Sequence, residues 1–435
     1  MTPRSTLLAY LCVLAAASLQ AAEWPQWRGP LRDGVWRTEG IVKELPKELR
    51  FVWRAPIGEG YAGPAVAAGR VYVPDRIAKK DSPGGHERIL CLDQKNGRVI
   101  WKHEYPCRYE ISYPHGPRTT PTVDGGRVYT VGAMGNLFCL SVTNGDVLWS
   151  KNFATDYGMK PNTWGMSSAP LVDGEHLIVV AGGREGSTVV CLNKHDGAAV
   201  WKALNVDDPG YSSPLIIETG GTRQLVLWTP DGIHAFDPGS GKHHWSHSFP
   251  VEAALSVITP VFDPTSRQLF VSAFYNGTLM LELDAKQPQS KVLWRGKSSS
   301  EKETDGLHAL MCTPYVDGGY IYGVCSYGQL RCIEAATGKR VWETVDATGH
   351  GRWWNAFLVR LGERTIVCNE QGELIFARLS PKGYEETSRT QLIEPTRKVQ
   401  RRMTVWSHPA FAGTQVFARN DNEIVCVDLA EQAAR

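Results

Sequence analysis

The chain has 435 residues, a formal net charge of +2 and a 42% hydrophobic composition. This length allows one large domain or several smaller ones, each with a sizeable apolar core. The near balance of 47 basic and 45 acidic residues argues against the strongly basic surface of nucleic-acid-binding proteins, so we expect no nucleic-acid partner.

The first 22 residues have the pattern of a secretory signal peptide. Arg4 precedes an apolar run over residues 7–19, and Ala21 and Ala22 provide the small residues of a cleavage site. The run is too short to span a membrane, and no later segment reaches the roughly 18 apolar residues that a spanning helix needs. Cys12 lacks the small residues that precede a lipidated cysteine. We therefore expect an exported protein, periplasmic or extracellular, that is neither a lipoprotein nor a transmembrane protein.

From residue 51 onward, one sequence pattern recurs about every fifty residues, which indicates a repeat architecture. Each copy holds two apolar or β-branched runs, then a tight turn such as Asn96-Gly97 or Asn144-Gly145, and then a tryptophan. Asn-Gly turns supply the positive φ that short β-hairpins require. The closing tryptophans are Trp53, Trp101, Trp149, Trp201, Trp245, Trp294 and Trp342.

Each copy reads as four short antiparallel strands, which is the blade of a β-propeller. Eight strand-opening phrases, from Gly63-Pro64 to His408-Pro409, indicate eight blades. The last copy has no closing strand, whereas residues 51–57 form a spare strand before the first copy. We therefore predict an all-β, eight-bladed propeller over residues 49–430, with the N-terminal strand completing the last blade. Residues 23–48 are predicted to be an irregular N-terminal segment and residues 431–435 a C-terminal tail.

The phrase Asp93-x-x-Asn96-Gly97-x-x-x-Trp101 and its copies resemble the tryptophan-docking repeat of the PQQ-like β-propellers. That family includes the quinoprotein alcohol dehydrogenases and the outer-membrane assembly factor BamB. Residues 23–34 are also similar to the start of many secreted bacterial members. The resemblance covers nearly all of the chain after residue 22 and implies the same propeller. For function it implies either a partner-binding scaffold or a PQQ-dependent oxidoreductase.

The quinoprotein enzymes of that family use an adjacent cysteine pair, a carboxylate base and a calcium ion held by Glu, Asn and Asp. No two cysteines are adjacent in this chain, and acidic residues near the expected axis are few. They are Glu59, Glu110, Asp156, Glu252 and Asp305. The motifs of zinc proteases, P-loop NTPases and serine hydrolases are also missing. We therefore expect no catalytic residue, no metal and no cofactor, with PQQ and calcium as the alternative.

The repeat assigns structural roles to two residue types that would otherwise invite functional ones. A tryptophan at one position of every blade is best explained by docking onto the neighbouring blade. Five cysteines share one slot of the third strand and are expected to pack rather than pair, because equivalent slots lie too far apart for a disulfide; they are Cys91, Cys139, Cys191, Cys332 and Cys426. Cys107, Cys312, Cys325 and Cys368 fall outside that slot, and a disulfide among them stays open.

Loop lengths separate two faces of the expected ring, one with short uniform turns and one with variable loops. The long loops are expected over residues 74–88, 104–119, 153–168, 296–312 and 389–406. Loops on a rigid scaffold commonly carry binding residues. The aromatic, His and Arg residues leading into the innermost strands are our candidate site, for a ligand or partner; they are Tyr61, His115, Arg118, Trp164, Tyr211, His308, Arg352, Trp353, Trp354, Trp406 and His408. The alternative is that these rings only fill the funnel of a wide propeller.

Residues 23–47 are expected to cover the outside or to cap one face.

Three functional hypotheses follow from the sequence. The leading one is an exported, non-enzymatic and monomeric scaffold that binds an envelope protein or a small ligand on the variable-loop face. The second is a PQQ-dependent quinoprotein oxidoreductase. The third is a carbohydrate- or polymer-binding propeller, which the aromatic loops favour.

Overall fold

The computed structural model describes residues 23–431. The expected signal peptide and nearly all of the expected C-terminal tail lie outside this range. Within it, eight four-stranded antiparallel sheets follow one another around a ring. The predicted all-β, eight-bladed propeller is confirmed. The described part of the chain has one short α-helix, α1 (Phe153–Tyr157), and one 3-10 turn (Glu252–Ala254), and it holds no helix of the length and apolarity that crossing a membrane requires.

Strand β1 (Phe51–Pro56) comes first in the chain and belongs to the last blade. Blades 1 to 4 consist of β2 (Ala65–Ala67), β3 (Arg70–Ala78), β4 (Gly84–Asp93), β5 (Val99–Arg108); β6 (Thr122–Asp124), β7 (Arg127–Val131), β8 (Asn136–Ser141), β9 (Val147–Asn152); β10 (Leu171–Asp173), β11 (His176–Val180), β12 (Val189–Asn193), β13 (Ala199–Ala203); and β14 (Leu215–Thr219), β15 (Thr222–Thr229), β16 (Gly232–Phe236), β17 (His243–Ser248).

Blades 5 to 7 consist of β18 (Val261–Asp263), β19 (Gln268–Ala273), β20 (Gly277–Leu283), β21 (Ser290–Arg295); β22 (Tyr315–Asp317), β23 (Tyr320–Val324), β24 (Leu330–Glu334), β25 (Arg340–Thr344); and β26 (Ala356–Leu361), β27 (Arg364–Asn369), β28 (Glu373–Ser380), β29 (Gly383–Gln391). A small hairpin of β30 (Arg397–Val399) and β31 (Arg402–Thr404) precedes blade 8. Blade 8 consists of β32 (Ala410–Ala412), β33 (Gln415–Arg419), β34 (Glu423–Asp428) and β1.

The N-terminal strand closes the ring as predicted. Strand β1 pairs antiparallel with β34, with Trp53 opposite Cys426 and Ala55 opposite Ile424. The last blade is thus built from both ends of the propeller sequence. Closure of this kind leaves no blade with a missing strand and reduces the exposed sheet edges on which other chains could assemble.

The closing tryptophans rest on the hairpin turn of the following blade. The indole N–H of Trp101 donates to the Val142 carbonyl at 2.8 Å, and its ring lies against Gly145. Gly145 has a φ of +77°, and a Cβ there would approach the ring to 2.5 Å. Glycine therefore serves both the turn and the seat of the ring. Trp53, Trp149, Trp201 and Trp294 lie in the same way against Gly97, Gly197, Gly241 and Gly338.

Two blades depart from this arrangement. The indole N–H of Trp245 donates at 2.8 Å to the Gln224 side chain of its own blade, because the following turn is stretched and has no glycine. Trp342 still donates to a carbonyl of the next blade, that of Ser380 at 2.7 Å, but no glycine within residues 23–431 lies against its ring. In the next blade Tyr384 stands on the closing strand β29, partly buried.

The cysteines of the repeat slot lie on the third strands β4, β8, β12, β24 and β34, and each is 0% exposed. They pack in the cores between neighbouring sheets. Within residues 23–431 every cysteine is a free thiol, including Cys107, Cys312, Cys325 and Cys368.

Residues 23–36 fill the central channel of the ring. The Trp24 backbone exchanges hydrogen bonds with Val66 on the innermost strand of blade 1, and Pro25 accepts one from Val123 of blade 2. The indole of Trp36 donates to the Gly413 carbonyl of blade 8, and Trp24 and Trp36 are each 1% exposed. The expectation that residues 23–47 cover the outside or cap a face was therefore wrong for residues 23–36, which carry enough apolar surface to fill the gap that eight inner strands leave. Residues 41–47 do lie against the outside of the ring, on blades 7 and 8.

The channel segment turns back on itself between Trp27 and Gly34. The indole of Trp27 donates to Thr259 Oγ1 at 2.8 Å, and the Arg32 guanidinium donates to the Ala169, Pro170 and Pro214 carbonyls. These partners precede the innermost strands of blades 3 to 5. The turn therefore sits at the variable-loop end of the channel and closes it from below.

One expected long loop, residues 74–88, and the first part of another, residues 104–108, are instead extensions of strands. Over residues 74–88, β3 continues to Ala78 and β4 begins at Gly84, with Asp75 opposite Arg88. The Arg88 guanidinium donates to both Asp75 oxygens, at 2.8 and 2.5 Å. This ion pair replaces the alternating apolar pattern that marks a strand in sequence, which is why the hairpin looked like a loop.

Candidate functional site

A cavity of about 310 Å³ opens at the variable-loop end of the ring, above the turn of the channel segment. We call it the bowl. Residues just before the innermost strand of every blade contribute to its wall, so the site belongs to the whole ring. Its aromatic lining residues are Trp27, Tyr61, Tyr113, Trp164, Tyr211, Tyr275, Trp353, Phe357 and Trp406.

Eight of the eleven residues that the sequence singled out line the bowl. They are Tyr61, Arg118, Trp164, Tyr211, Arg352, Trp353, Trp406 and His408. The repeat predicted this gathering because each residue leads into an innermost strand, and those strands surround the axis.

His115, His308 and Trp354 are not brought into the bowl. His308 is 0% exposed, with Nδ1 3.2 Å from the Phe274 carbonyl and Nε2 3.2 Å from Asp305. His115 lies beside Glu59 at 3.5 Å, and Trp354 turns inward onto Gly349. A position that leads into an innermost strand therefore does not by itself direct its side chain to the axis.

Several lining residues were not predicted. Four of them are aliphatic and also precede innermost strands: Leu255, Val257, Leu310 and Met311. They could have been found in the aligned repeats by considering aliphatic residues as well as aromatic, His and Arg residues. The sequence did not indicate that Trp27 lines the bowl, because the channel segment is not part of any repeat. The aliphatic residues come from blades 5 and 6, so the bowl has one aliphatic side and an otherwise aromatic wall.

Arg118 is the cation on one side of the bowl. Its guanidinium donates to the backbone carbonyls of Ser112, Tyr113 and Gly116, at 2.6 to 3.0 Å, and lies 5.0 Å from the Tyr61 ring. Burial lowers the pKa of Arg118 and raises the pKa of Tyr61 to about 12. At neutral pH the pair is therefore a positive charge beside a neutral phenol.

Arg352 lies on another side and is paired with an acid. Its Nη2 donates to Glu301 at 2.6 Å and to the Tyr275 hydroxyl at 2.9 Å. Hydrogen bonds to Glu301 raise the pKa of Arg352. Burial acts to raise the pKa of Glu301, but hydrogen bonds from Arg352 and Tyr327 outweigh it and lower that pKa. This ion pair is neutral as a unit.

Two tryptophans of the wall, Trp406 and Trp353, contact charged side chains. The indole of Trp406 donates to Glu370 at 2.7 Å, and Glu370 also accepts from Arg402. Burial raises the pKa of Glu370, against these bonds. Trp353 lies 4.5 Å from the Arg352 guanidinium and adopts a φ of +64°. A non-glycine residue held in this strained region is common at binding sites.

His408 belongs to the floor of the bowl. Its ring lies 5.0 Å from Trp27 and 4.9 Å from Phe357, and it is 7% exposed. Burial lowers its pKa to about 4, so the ring is neutral at physiological pH. Among the described residues, no cluster of three or more His, Cys, Asp or Glu has the geometry of a metal site.

Comparison with known proteins identifies the family. A family model described as "Outer membrane protein assembly factor BamB" matches residues 39–155, 85–344 and 283–435. The chain belongs to this family of PQQ-like β-propellers. The match spans the ring and part of the segment that leads into it.

The chain is 21% identical over 283 residues to the outer membrane protein assembly factor BamB of Yersinia pestis, covering 63% of this chain and 66% of that protein. It is 25% identical over 178 residues to the quinoprotein ethanol dehydrogenase of Pseudomonas aeruginosa, covering 38% of this chain and 28% of that protein. The crystal structure of BamB from Moraxella catarrhalis superposes with a TM-score of 0.57 at 14% identity, covering 88% of this chain and 99% of that one. The chain thus spans less than two thirds of each curated relative, and the structural match shows the fold.

The bowl of this PQQ-like propeller does not offer the donors that a calcium-bound quinone needs. Calcium takes six to eight oxygen ligands, mostly carboxylates and carbonyls. No Asp or Glu is among the residues that line the bowl. Its side-chain oxygens are Tyr and Ser hydroxyls, and the turn of the channel segment closes it from below. The lining residues therefore provide no carboxylate ligand for calcium, and we derive no step through PQQ.

Proposed function

We propose that this protein is an exported, non-enzymatic propeller that binds a ligand or a segment of an envelope protein in the bowl. The observation that carries this proposal is the bowl itself, which combines a 310 Å³ cavity with aromatic residues from nearly all blades. Apolar concave pockets with a few fixed polar groups are the usual form of ligand sites. The likeness to proteins named outer membrane protein assembly factors supports a scaffold role in the envelope.

Hydrogen bonds fix the conformations of side chains in the wall of the bowl, which favours ligand binding. Trp406 is fixed by Glu370, and Arg352 by Glu301 and Tyr275. A preformed pocket loses little conformational entropy on binding. Tyr, Trp and Arg are also the residues that most often dominate binding energy.

The test is a thermal-shift screen of the mature chain against small apolar molecules, oligosaccharides and short peptides. Each binder is then measured by calorimetry on Trp353→Ala and on Trp406→Ala. We expect affinity to fall by about tenfold or more, roughly 1.4 kcal/mol, in either variant. Val345→Ala removes an exposed apolar side chain elsewhere and should leave affinity unchanged. Binders that ignore both tryptophans would refute the assignment of the bowl.

A quinoprotein oxidoreductase is the second candidate, favoured by the likeness to the ethanol dehydrogenase. Addition of PQQ and calcium to the purified protein should then produce a cofactor absorbance and dye-linked alcohol oxidation. The scaffold proposal expects neither. Oligosaccharides as the best binders of the screen would instead favour the carbohydrate-binding hypothesis.

A further inference from the structure

We propose that the ligand of the bowl is a small apolar molecule that carries one carboxylate, and that Arg118 binds this carboxylate. The inference rests on the proposed binding function and names its chemical class. It follows from the distribution of charge around the cavity, which the aromatic lining alone does not reveal.

The charged lining residues are arginines. Arg118 and Arg352 both line the bowl, whereas no Asp or Glu does. Glu301 neutralises Arg352 through an ion pair at 2.6 Å. Arg118 has carbonyl partners only. One cation at the wall is therefore without an anionic partner.

The acids near Arg118 are engaged elsewhere. Glu87, which is 1% exposed, accepts hydrogen bonds from the Tyr105 and Tyr109 hydroxyls and from the Ala133 N–H. Glu59 lies beside His115 at 3.5 Å and Arg397 at 3.8 Å. Neither carboxylate forms an ion pair with Arg118, so among the described residues this guanidinium at the wall of the bowl has no acid in direct contact.

Two more cations lie below the floor of the bowl. Arg28 and Arg32 follow Trp27 in the channel segment and are 5% and 4% exposed. Arg28 donates to the Asp33 carbonyl, and the Asp33 carboxylate, which acts on Arg28 electrostatically, forms its ion pair with Arg37. Burial lowers the pKa of Arg28 to about 10 and that of Arg32 to about 9, so both stay charged at neutral pH. Two buried cations with one nearby carboxylate are costly, and an anion in the bowl would offset part of that cost.

Size and polarity restrict the rest of the ligand. A 310 Å³ cavity lies at the small end of pockets that take drug-sized molecules. The lining opposite Arg118 is formed by aliphatic and aromatic side chains. One anionic group on an apolar body matches this surface, whereas a second carboxylate would meet an arginine that Glu301 already neutralises.

The experiment compares 1-naphthaleneacetate with 1-naphthaleneacetamide, which share a shape and differ in charge. Calorimetry on the mature protein at low salt should give an affinity for the acid at least about tenfold above that for the amide. Arg118→Gln should reduce this preference to less than about threefold while changing amide affinity little. Arg378→Gln, at an exposed arginine of β28, is the matched control and should preserve the preference.

The measured affinities test the charge selection, the role of Arg118 and the ligand class in turn. Equal affinities for acid and amide in the unmodified protein would overturn the charge selection and leave the bowl as an apolar site. A preference that survives in folded Arg118→Gln would overturn the role of Arg118. If that variant does not fold, Trp353→Ala provides the second measurement, since it should weaken both ligands equally and keep their ratio. No binding of either compound at millimolar concentration would overturn the ligand class, while the scaffold proposal is judged by the library screen.

Discussion

Truncation of one closing tryptophan, in Trp101→Ala, tests how the blades are held together. The Trp101 ring is 7% exposed, lies on Gly145 and donates to the Val142 carbonyl of the next blade. The variant removes the ring and leaves that carbonyl without its partner. The perturbation therefore acts between two blades and leaves the hydrogen bonds within each sheet intact.

The expected cost can be worked from the buried area. A buried tryptophan removes about 150–250 Å² from water, which at roughly 25 cal/mol per Å² corresponds to about 4–6 kcal/mol. Truncations of large aromatic residues cost about 3–5 kcal/mol. We expect about 4 kcal/mol. With an unfolding entropy near 2.1 cal/mol/K per residue, a chain of this length should lose about 5 °C in Tm.

Circular dichroism melts and urea denaturation of the purified protein measure this loss. Two glycine variants separate the seat of the ring from the turn. Gly145→Ala places a Cβ 2.5 Å from the ring, whereas Gly174→Ala, at a φ of +57°, meets no atom within 4 Å. Gly174→Ala should cost about 1 kcal/mol from its backbone conformation alone, and Gly145→Ala clearly more. An unchanged Tm for Trp101→Ala, or equal costs for the two glycine variants, would refute docking between blades.

Three further expectations concern the channel and the bowl. Trp24→Ala, in the channel segment, should lower the free energy of unfolding by about 3–5 kcal/mol, since the ring is 1% exposed; an unchanged urea midpoint would show that the segment adds no stability. The pKa of His408 is about 4 in the fold against roughly 6.5 when unfolded, so the unfolded chain binds more protons in this window. The contribution of the neutral His408 ring to the free energy of unfolding should be fully present above pH 6.5 and should fall by about 3 kcal/mol towards pH 4. His408→Gln should flatten that part of a profile of urea midpoint against pH. An identical profile for the variant would contradict the burial of His408. Glu301→Gln frees a second guanidinium at the bowl and should raise the acid-over-amide preference several-fold in calorimetry, whereas an unchanged ratio would mean that Arg352 does not face the ligand.

Much of the candidate site could be predicted once the repeat was recognised. Tyr61, Trp164 and Trp353 precede innermost strands, and the ring brings all such positions to the axis. The same rule failed for His308, because its side chain is buried away from the bowl. Position along the strand is periodic in sequence, whereas the direction of one side chain in a loop depends on local backbone angles that the repeat does not set.

The sequence by itself determined the number of blades, the strand that closes the ring and the position of each closing tryptophan. These follow from local chemistry, since Asn-Gly turns, alternating apolar runs and a period near fifty residues act within one copy or between neighbours. Only the tertiary structure decided that the channel segment fills the axis, that Glu301 neutralises Arg352, and that Arg118 is left with carbonyl partners alone. Those contacts join residues far apart in the chain and outside the repeat, and they exist only because ring closure brings them together.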